Sequence, residues 1–347
     1  MSFALTFRPD LFLAFEILSF GTYLIVFARE LYQRNWRRVF ELLSCTVFGM
    51  ILEIGNIYLA HTYSYSSNFL IQILGVPLAI GFGWATIIYC AMLLSDQYRI
   101  PWTLRPFMDA LTAIVLDLSM DAIAIRLGFW TWAIPYDQEW YGVPFENLAG
   151  WIFVTIAFSF FARFLRTLNP KRRATIALLV LSPLFEYALL FIGLIAFSLL
   201  AILPHGINNW GTLLQFNYRP DFRILFDPEV QLWKLIVLMA ILTEVIHRVI
   251  MAIARHHRNY LWRFDLLSFS IMTSFHVFFF VLLFTSGIYQ KLPYLVLLGI
   301  ITMGLHLLLH LLPYLLRPKF VYIFRDFTDS VQAQEQRFSR FIQRVFQ

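Results

Sequence analysis

The sequence predicts an all-α fold: a polytopic integral membrane bundle of about nine transmembrane helices with a parallel two-helix internal repeat. Three observations support this prediction, namely the composition, a series of long apolar runs and a motif that occurs twice. Apolar residues make up 60% of the 347 residues, charged residues only 14%, and the mean hydropathy is +0.69. Because a soluble domain carries roughly 25% charged residues, this chain lacks the polar surface that water requires, and lipid must be its solvent.

Nine apolar runs are each long enough, at about 20 residues, to cross the hydrocarbon core of a bilayer. They cover residues 11–28, 39–60, 69–94, 106–128, 147–165, 174–203, 230–251, 264–286 and 292–316. We therefore expect one transmembrane domain over residues 1–316. The polar segment 317–347, in which Phe residues recur among charges, is expected to be a cytoplasmic amphipathic tail lying on the membrane, or else a solvated tail.

Positive charges are concentrated in alternate connections between the runs. One set of connections contains Arg29, Arg34, Arg37, Arg38, Arg99, Arg105, Arg163, Arg166, Lys171, Arg172, Arg173, Arg248, Arg255, Arg258, Arg263, Arg317 and Lys319. The other set contains only Arg8, Arg219, Arg223 and Lys291. By the positive-inside rule, the N-terminus is outside and the C-terminus is cytoplasmic. The net charge of +6 therefore reflects membrane orientation, and we expect no nucleic-acid partner.

An internal repeat links two parts of the chain. Gly-Val-Pro followed by Gly-Trp occurs at 75–77 with 83–84, and sixty-seven residues later at 142–144 with 150–151. An aromatic pair precedes each motif, and an acid precedes each pair in the middle of the preceding span. These residues are Glu53, Tyr63 and Tyr65 in the first copy and Asp121, Trp130 and Trp132 in the second. The repeat units are 39–94 and 106–165; two helices per unit give both copies one orientation, with their axis along the membrane normal.

Acids inside the spans are the candidates for chemistry, because each ionisable residue costs about 2.5–3.5 kcal/mol at a helix centre. They are Glu16, Glu41, Glu53, Asp109, Asp117, Asp121, Glu186 and Glu244. Glu41 and Asp109 lie near the cytoplasmic edge, where we expect snorkelling or capping. Asp117 and Asp121 are four residues apart on one helix face, and Asn56 shares the face of Glu53.

A buried carboxyl that keeps its proton at neutral pH can act as a general acid. Ring faces of the neighbouring aromatic loops can stabilise a cation. Together these groups suit protonation of a carbon–carbon double bond, followed by capture of water or loss of a proton. The alternative interpretation is that the acids make interhelical hydrogen bonds that hold the bundle together. Arg126, at the end of the same helix, points away from Asp121 and is expected to snorkel to the outer interface.

The histidines give a weaker signal. His306 and His310 form an HxxxH pair in the last span, and His256 and His257 lie in a cytoplasmic loop. Di-iron membrane hydroxylases combine HxxxH with HxxHH, and this sequence has no HxxHH. We therefore expect core and solvated histidines and no metal, and the sequence contains no motif for a nucleotide cofactor.

The second repeat unit resembles the membrane carotenoid biosynthesis proteins, which include the bacterioruberin-pathway and γ-carotene hydratases. The resemblance is carried by the stretches LDLSMD (116–121), LGFWTW (127–132), YGVP (141–144) and NLAGW (147–151), and in the first copy by Glu53, Tyr63, Tyr65 and the motif at 75–77. It covers about residues 49–166, and Ala122 stands where the family tends to have Pro. It implies the cytoplasmic membrane of a prokaryote, a carotenoid in the bilayer among membrane lipids as substrate, and other carotenoid-pathway enzymes as possible partners.

The resemblance implies hydration of a terminal isoprenoid double bond, with cyclisation or isomerisation as related chemistry and no cofactor. Asp121 would be the acid, Asp117 would adjust its proton affinity, and Glu53 with Asn56 would hold the water. The substrate-binding residues would be Tyr63, Tyr65, Trp84, Trp130, Trp132, Tyr141, Asn147 and Trp151. Two other functions fit the same residues: a non-catalytic carotenoid- or lipid-binding assembly protein, and a proton-coupled transporter of lipids or small molecules.

Overall fold

The computed structural model describes residues 9–98, 100–132, 134–168, 173–207, 228–256 and 264–315. The helices are α1 (Pro9–Tyr32), α2 (Trp36–Gly55), α3 (Leu78–Gln97), α4 (Arg105–Ala124), α5 (Phe145–Arg166), α6 (Arg173–Ile207), α7 (Pro228–His256), α8 (Leu266–Thr285), α9 (Ile288–Lys291) and α10 (Tyr294–Leu315). The short strands are β1 (Tyr63–Tyr65), β2 (Gln72–Ile73), β3 (Val76–Pro77) and β4 (Trp130–Trp132). The tail 317–347 lies outside the described residues.

Eight of these helices are long and apolar enough to cross a membrane, namely α1, α2, α3, α5, α6, α7, α8 and α10. The predicted all-α, polytopic fold is therefore confirmed, and the protein is an integral membrane protein. The ninth predicted span corresponds to α4, whose 20 residues include three acids. At 1.5 Å per residue α4 is about 30 Å long. It packs against α3, α5, α7, α8 and α10, so protein covers most of its surface.

The repeated Gly-Val-Pro motif forms the turn that starts a helix in each copy. Pro77 and Pro144 are the N-cap residues of α3 and α5, with φ of −63° and −61°. Gly75 and Gly142 have φ of +72° and +85°, a backbone conformation that glycine adopts without steric cost. At Gly142 a Cβ atom would lie 2.8 Å from Cα of Tyr136, so only glycine fits that turn.

The two aromatic pairs predicted in loops form a two-stranded antiparallel ribbon. β1 pairs with β4 in the register Tyr63 with Trp132, Ser64 with Thr131 and Tyr65 with Trp130. The repeat relates Tyr63 to Trp130 and Tyr65 to Trp132, so each residue pairs with the counterpart of the other one. A twofold axis that passes between Ser64 and Thr131 produces this crosswise pairing. We call this end of the bundle, which carries β1 and β4, the aromatic end.

Four arginines and three acids form a partly buried ionic network at the opposite end. The guanidinium groups of Arg38, Arg105, Arg163 and Arg166 all pair with Asp96, at 3.1 Å for Arg105, 3.0 Å for Arg163 and 3.3 Å for Arg166. Glu41 accepts two hydrogen bonds from Arg166, at 2.7 and 2.8 Å, and Asp109 pairs with Arg163 at 2.5 Å. The expectation that Glu41 and Asp109 snorkel or cap was wrong, since both are ion-paired inside the bundle.

Loss of Asp96 is expected to destabilise the protein strongly. In Asp96→Ala, four guanidinium groups lose their shared carboxylate. Removing one partner of a buried ion pair costs about 3–5 kcal/mol, and because the Asp96 side chain is 19% exposed we expect the lower end of that range. Denaturant unfolding of the purified protein in detergent, followed by circular dichroism, measures this change. The matched control is Glu244→Ala, which removes a carboxyl that is 49% exposed and should leave the free energy of unfolding unchanged. Equal stability of the two variants would contradict the prediction.

Candidate active site

A cavity of about 60 Å³ lies at the aromatic end, where both repeat units meet. Its polar lining consists of Glu53, Asp121 and Asn147. Its aromatic lining consists of Tyr63, Tyr65, Trp84, Trp130, Trp132, Trp151, Phe15 and Phe275. The two spans that carry the acids thus bring one carboxyl from each copy to one apolar space.

Glu53 is held by three hydrogen-bond donors. Trp84 Nε1 donates to its Oε1 at 2.7 Å, Tyr65 Oη donates to its Oε2 at 2.8 Å, and Tyr63 Oη donates to the same Oε2. A π-helical turn, Asn56–Ala60, follows directly after α2 and leads the chain to β1. This local turn brings the two tyrosines back over the acid that precedes them.

The tyrosines in the ribbon are donors at neutral pH. Burial and the adjacent Glu53 carboxyl raise the pKa of both Tyr63 and Tyr65 well above the usual value of 10. Their hydroxyl groups therefore stay protonated and continue to donate to Glu53. With only 4% of its surface exposed, Glu53 is fixed as a hydrogen-bond acceptor.

Asp121 and Asp117 form the second acidic group of the site. Asn147 Nδ2 donates to Asp121 Oδ2 at 2.5 Å and lies 3.4 Å from Asp117 Oδ2. The two carboxyls are within hydrogen-bond reach of each other, and such a bond requires a proton on one of them. Asp121 lines the cavity, whereas Asp117, with none of its surface exposed, lies behind it.

Aromatic rings around the cavity contact each other in pairs, and each pair takes one ring from each repeat unit. The Trp84 and Trp151 rings, one from each Gly-Trp motif, lie 4.1 Å apart between centroids. Tyr63 lies 4.5 Å from Trp132, and Tyr65 lies 5.9 Å from Trp130. Ring faces attract positive charge, so this wall suits a ligand that is apolar or becomes cationic.

Some of the predicted site residues lie outside the cavity lining. Asn56 is within hydrogen-bond reach of Tyr63, so it supports the ribbon. Tyr141 stacks on Tyr294 with ring centroids 4.8 Å apart. Neither these two residues nor Asp117 is part of the lining.

The prediction that Arg126 snorkels to the interface was wrong. Arg126 is only 3% exposed, and its guanidinium donates to the carbonyl oxygens of Ala122 at 2.6 Å, Tyr141 at 2.9 Å and Tyr136 at 3.3 Å. Backbone carbonyls of the connection between β4 and α5 thus replace water as its partners. The expectation that Arg126 is not a partner of Asp121 agrees with these contacts.

Sequence reasoning missed several apolar residues of the lining. Phe15 comes from α1 and Phe275 from α8, both outside the repeat, and Ile80, Ile87 and Met120 come from within it. An apolar residue in an apolar span carries no local signal of function. One indirect signal was available: Met120 is the residue that the sixty-seven-residue spacing relates to Glu53.

The HxxxH histidines lie in the core, away from this cavity. His306 and His310 have ring centroids 4.4 Å apart, and His276 of α8 lies 5.0 Å from His306. His306 Nε2 is 3.0 Å from Thr273 Oγ1, whereas neither ring nitrogen of His276 has a partner within the described chain. Among the residues that the structure describes, no group of three or more candidate ligands is arranged to hold a metal ion. His257 lies outside them.

Fold and site together define an integral membrane protein with a buried acidic cavity walled by aromatic rings. The chain belongs to the family of carotenoid biosynthesis proteins, whose model matches residues 12–210, more than half of its length. This confirms the resemblance seen in the motifs. The matched region contains α2 to α6, most of α1 and both acids of the cavity.

Bisanhydrobacterioruberin hydratase from Haloarcula japonica is similar to part of the chain. The two sequences are 29% identical over 124 residues, which cover 33% of this chain and 41% of that relative. The match thus spans less than half of the relative's own length. No solved structure matches the chain.

Proposed function

We propose that the protein is an intramembrane carotenoid hydratase, which adds water to a terminal isoprenoid double bond by acid catalysis. The observation that carries this proposal is the placement of Asp121, one oxygen bound by Asn147 at 2.5 Å, in an aromatic-walled cavity that also contains Glu53. Membership of the carotenoid biosynthesis family supports a carotenoid as the substrate, and the partial similarity to a protein named as a hydratase motivates the choice of hydration.

The reaction begins with proton transfer from the Asp121 carboxyl to the less substituted carbon of the double bond. The new C–H bond forms from the π electrons, and a tertiary cation remains on the adjacent carbon. Asn147 and Asp117 hold the carboxyl in position. General acid catalysis of this kind contributes about 10² to 10⁴ in rate.

The aromatic wall stabilises the cation while water approaches. Tyr65 and Trp130 on one side and Tyr63 and Trp132 on the other present their rings to the cavity. A desolvated cation over a ring face gains about 2 kcal/mol or more.

Glu53 is the group that holds the attacking water. Its carboxyl accepts from Trp84, Tyr63 and Tyr65, and a carboxylate has about four acceptor positions, which leaves one for a water proton. Water adds to the cation and releases one proton, which replaces the proton that Asp121 gave up. No electrons are gained or lost, so the reaction needs no redox cofactor.

The cavity size fits an end group and not a whole carotenoid. About 60 Å³ is well below the roughly 300–1,000 Å³ of sites that enclose a complete small molecule. The polyene chain therefore extends from the cavity into the apolar part of the bundle or the bilayer.

The test is a pigment profile after co-expression with a lycopene-producing pathway. Chromatography with mass spectrometry is expected to show a polyene that has gained the mass of one water. An isomeric product without added mass would assign the same acid to cyclisation. Unchanged lycopene that co-purifies with the protein would favour the non-catalytic binding protein instead.

We also propose that the aromatic end faces the outside of a prokaryotic cytoplasmic membrane, with the termini oriented as the charge distribution predicts. Ser67, in the connection that follows β1, and Gln33, between α1 and α2, are both exposed. A membrane-impermeant maleimide on intact cells should label Ser67→Cys and leave Gln33→Cys unlabelled. Native Cys45 and Cys90 are buried and provide the unlabelled background; the reverse pattern would invert the orientation.

A further inference from the structure

A second cavity, of about 190 Å³, lies between α2, α5 and α6, at the end of the bundle that carries the ionic network around Asp96. Its polar lining includes Glu41, Arg166, Ser44, Ser182 and Glu186. Side chains such as Phe158 and Leu179 supply an apolar wall. None of these residues takes part in the proposed hydration.

Glu186 is the unusual member of this lining. It is 1% exposed, and its Oε2 has no hydrogen-bond partner among the residues that the structure describes. Its other contact is with Ser182, which in turn shares a hydrogen bond of 2.8 Å with Ser44. Glu41, by contrast, is satisfied by both guanidinium nitrogens that Arg166 directs at it, at 2.7 and 2.8 Å.

The free carboxyl oxygen selects the chemistry of a ligand. A buried carboxyl without a counterion is tolerated as the neutral acid, which both donates and accepts a hydrogen bond. A hydroxyl group does the same, so the two form a reciprocal pair. Arg37 and Arg166 in the same lining disfavour a cation, and Glu41 with Glu186 disfavours an anion.

The mouth of the cavity indicates the polarity of the rest of the ligand. Trp36 and Phe40 line the cavity and are 67% and 49% exposed, so the space opens between them to the outside of the bundle. A volume of about 190 Å³ holds an end group, while complete small molecules need roughly 300–1,000 Å³. The remainder of the ligand must therefore be apolar enough to lie in the bilayer.

We propose that this cavity binds the hydroxyl-bearing end of a long apolar molecule, with the hydroxyl group and the Glu186 carboxyl exchanging hydrogen bonds. Two sources supply that chemistry: a polyene with a terminal tertiary alcohol, which is the product of the proposed reaction, and a glycerolipid with a free hydroxyl. Only the first source depends on the proposed function.

The test uses full-length protein in nanodiscs, with an environment-sensitive fluorophore on Phe40→Cys at the mouth. The probes are lycopene, lycopene with one terminal tertiary hydroxyl, and dioleoylglycerol. A hydroxylated probe is expected to shift the fluorescence at a concentration at least about tenfold below that for lycopene, because lycopene leaves the carboxyl unpaired. Which hydroxylated probe responds identifies the source.

Variants of the cavity show whether Glu186 is responsible. Glu186→Leu should abolish the preference for the hydroxylated probe, whereas Glu186→Gln, which keeps a donor and an acceptor, should retain it. Ala162→Phe fills the space from α5 and should remove the response even if Glu186→Leu does not fold. Glu244→Leu, which changes an exposed acid, is the matched control.

An equal response to lycopene and its alcohol in both wild type and Glu186→Leu would overturn the proposal. If the added alcohol shifted the fluorescence of the probe on Phe40→Cys but the chain made no alcohol from lycopene, this binding site would be supported and the proposed hydration would be contradicted. If the chain made the alcohol but no probe shifted the fluorescence at the mouth, the proposed hydration would stand and this binding site would be contradicted.

Discussion

Asp121→Asn is expected to lower the rate of alcohol formation by a factor of about 10² to 10⁴, the contribution of a general acid. The amide has the shape of the carboxyl and can still contact Asn147, which lies 2.5 Å from Asp121, but it has no acidic proton to donate. Initial rates in membranes supplied with lycopene, measured by chromatography with mass spectrometry, give the factor directly. Protein amount is normalised by immunoblot.

Two further variants on α4 accompany this test, one as a control and one as a probe of the second carboxyl. Ser119→Ala removes a hydroxyl that hydrogen-bonds to Thr302 at 2.9 Å, outside the cavity lining, and should hydrate at close to the wild-type rate. Asp117→Asn alters the group behind the acid and should shift the pH–rate profile as well as the rate. If Asp121→Asn retained a rate within threefold of wild type, Asp121 would not be the acid.

Glu53→Gln is expected to change the product as well as the rate. The side-chain amide replaces one acceptor oxygen with a donor, which then faces either Trp84 or the two tyrosines, depending on its orientation. Hydrogen bonds to a charged acceptor are worth about 1.5–3 kcal/mol each, so the loss is expected to reach about 10² in rate. Without a held water, the cation loses a proton instead, and an isomer of the substrate should replace much of the alcohol.

The ratio of isomer to alcohol separates a water-holding role from a structural one. Tyr65→Phe removes one donor and keeps the carboxyl, and should lower the rate without changing that ratio. A Glu53→Gln protein that is slower but makes the alcohol alone would assign Glu53 to the support of the ribbon. Tm values in detergent show in each case whether the fold is intact.

The places of eight spans could be predicted because lipid forces a long apolar run at each crossing, whereas the predicted number was nine. α4 shows the limit of that rule: its acids lower its hydropathy, and contacts with five other helices bury it. The arginine network was not predictable in the same way. Charge counts placed Arg163 and Arg166 at one end of the bundle, but they contain no information on which acids these residues meet.

The site was predictable where a repeated pattern marked it. Spacing identified Glu53, Asp121 and the aromatic pairs, because a second copy of a motif stands out from an apolar background. Spacing did not show that β1 and β4 pair crosswise, since that depends on how the two copies pack. Phe15 and Phe275 arrive from α1 and α8 through tertiary packing alone.

The crosswise pairing of β1 with β4 has a consequence for how such a chain can be assembled. A contact in which each half offers the other the same surface is isologous, the kind found in twofold homodimers. Two separate copies of a single unit could form the same junction, but both would then carry identical acids. Fusion into one chain lets the halves differ. One half holds a carboxyl with three hydrogen-bond donors, and the other holds two carboxyls that share the amide of Asn147. In the proposed reaction, this symmetric frame places the carboxyl that holds water, Glu53, in one half and the proton donor, Asp121, in the other.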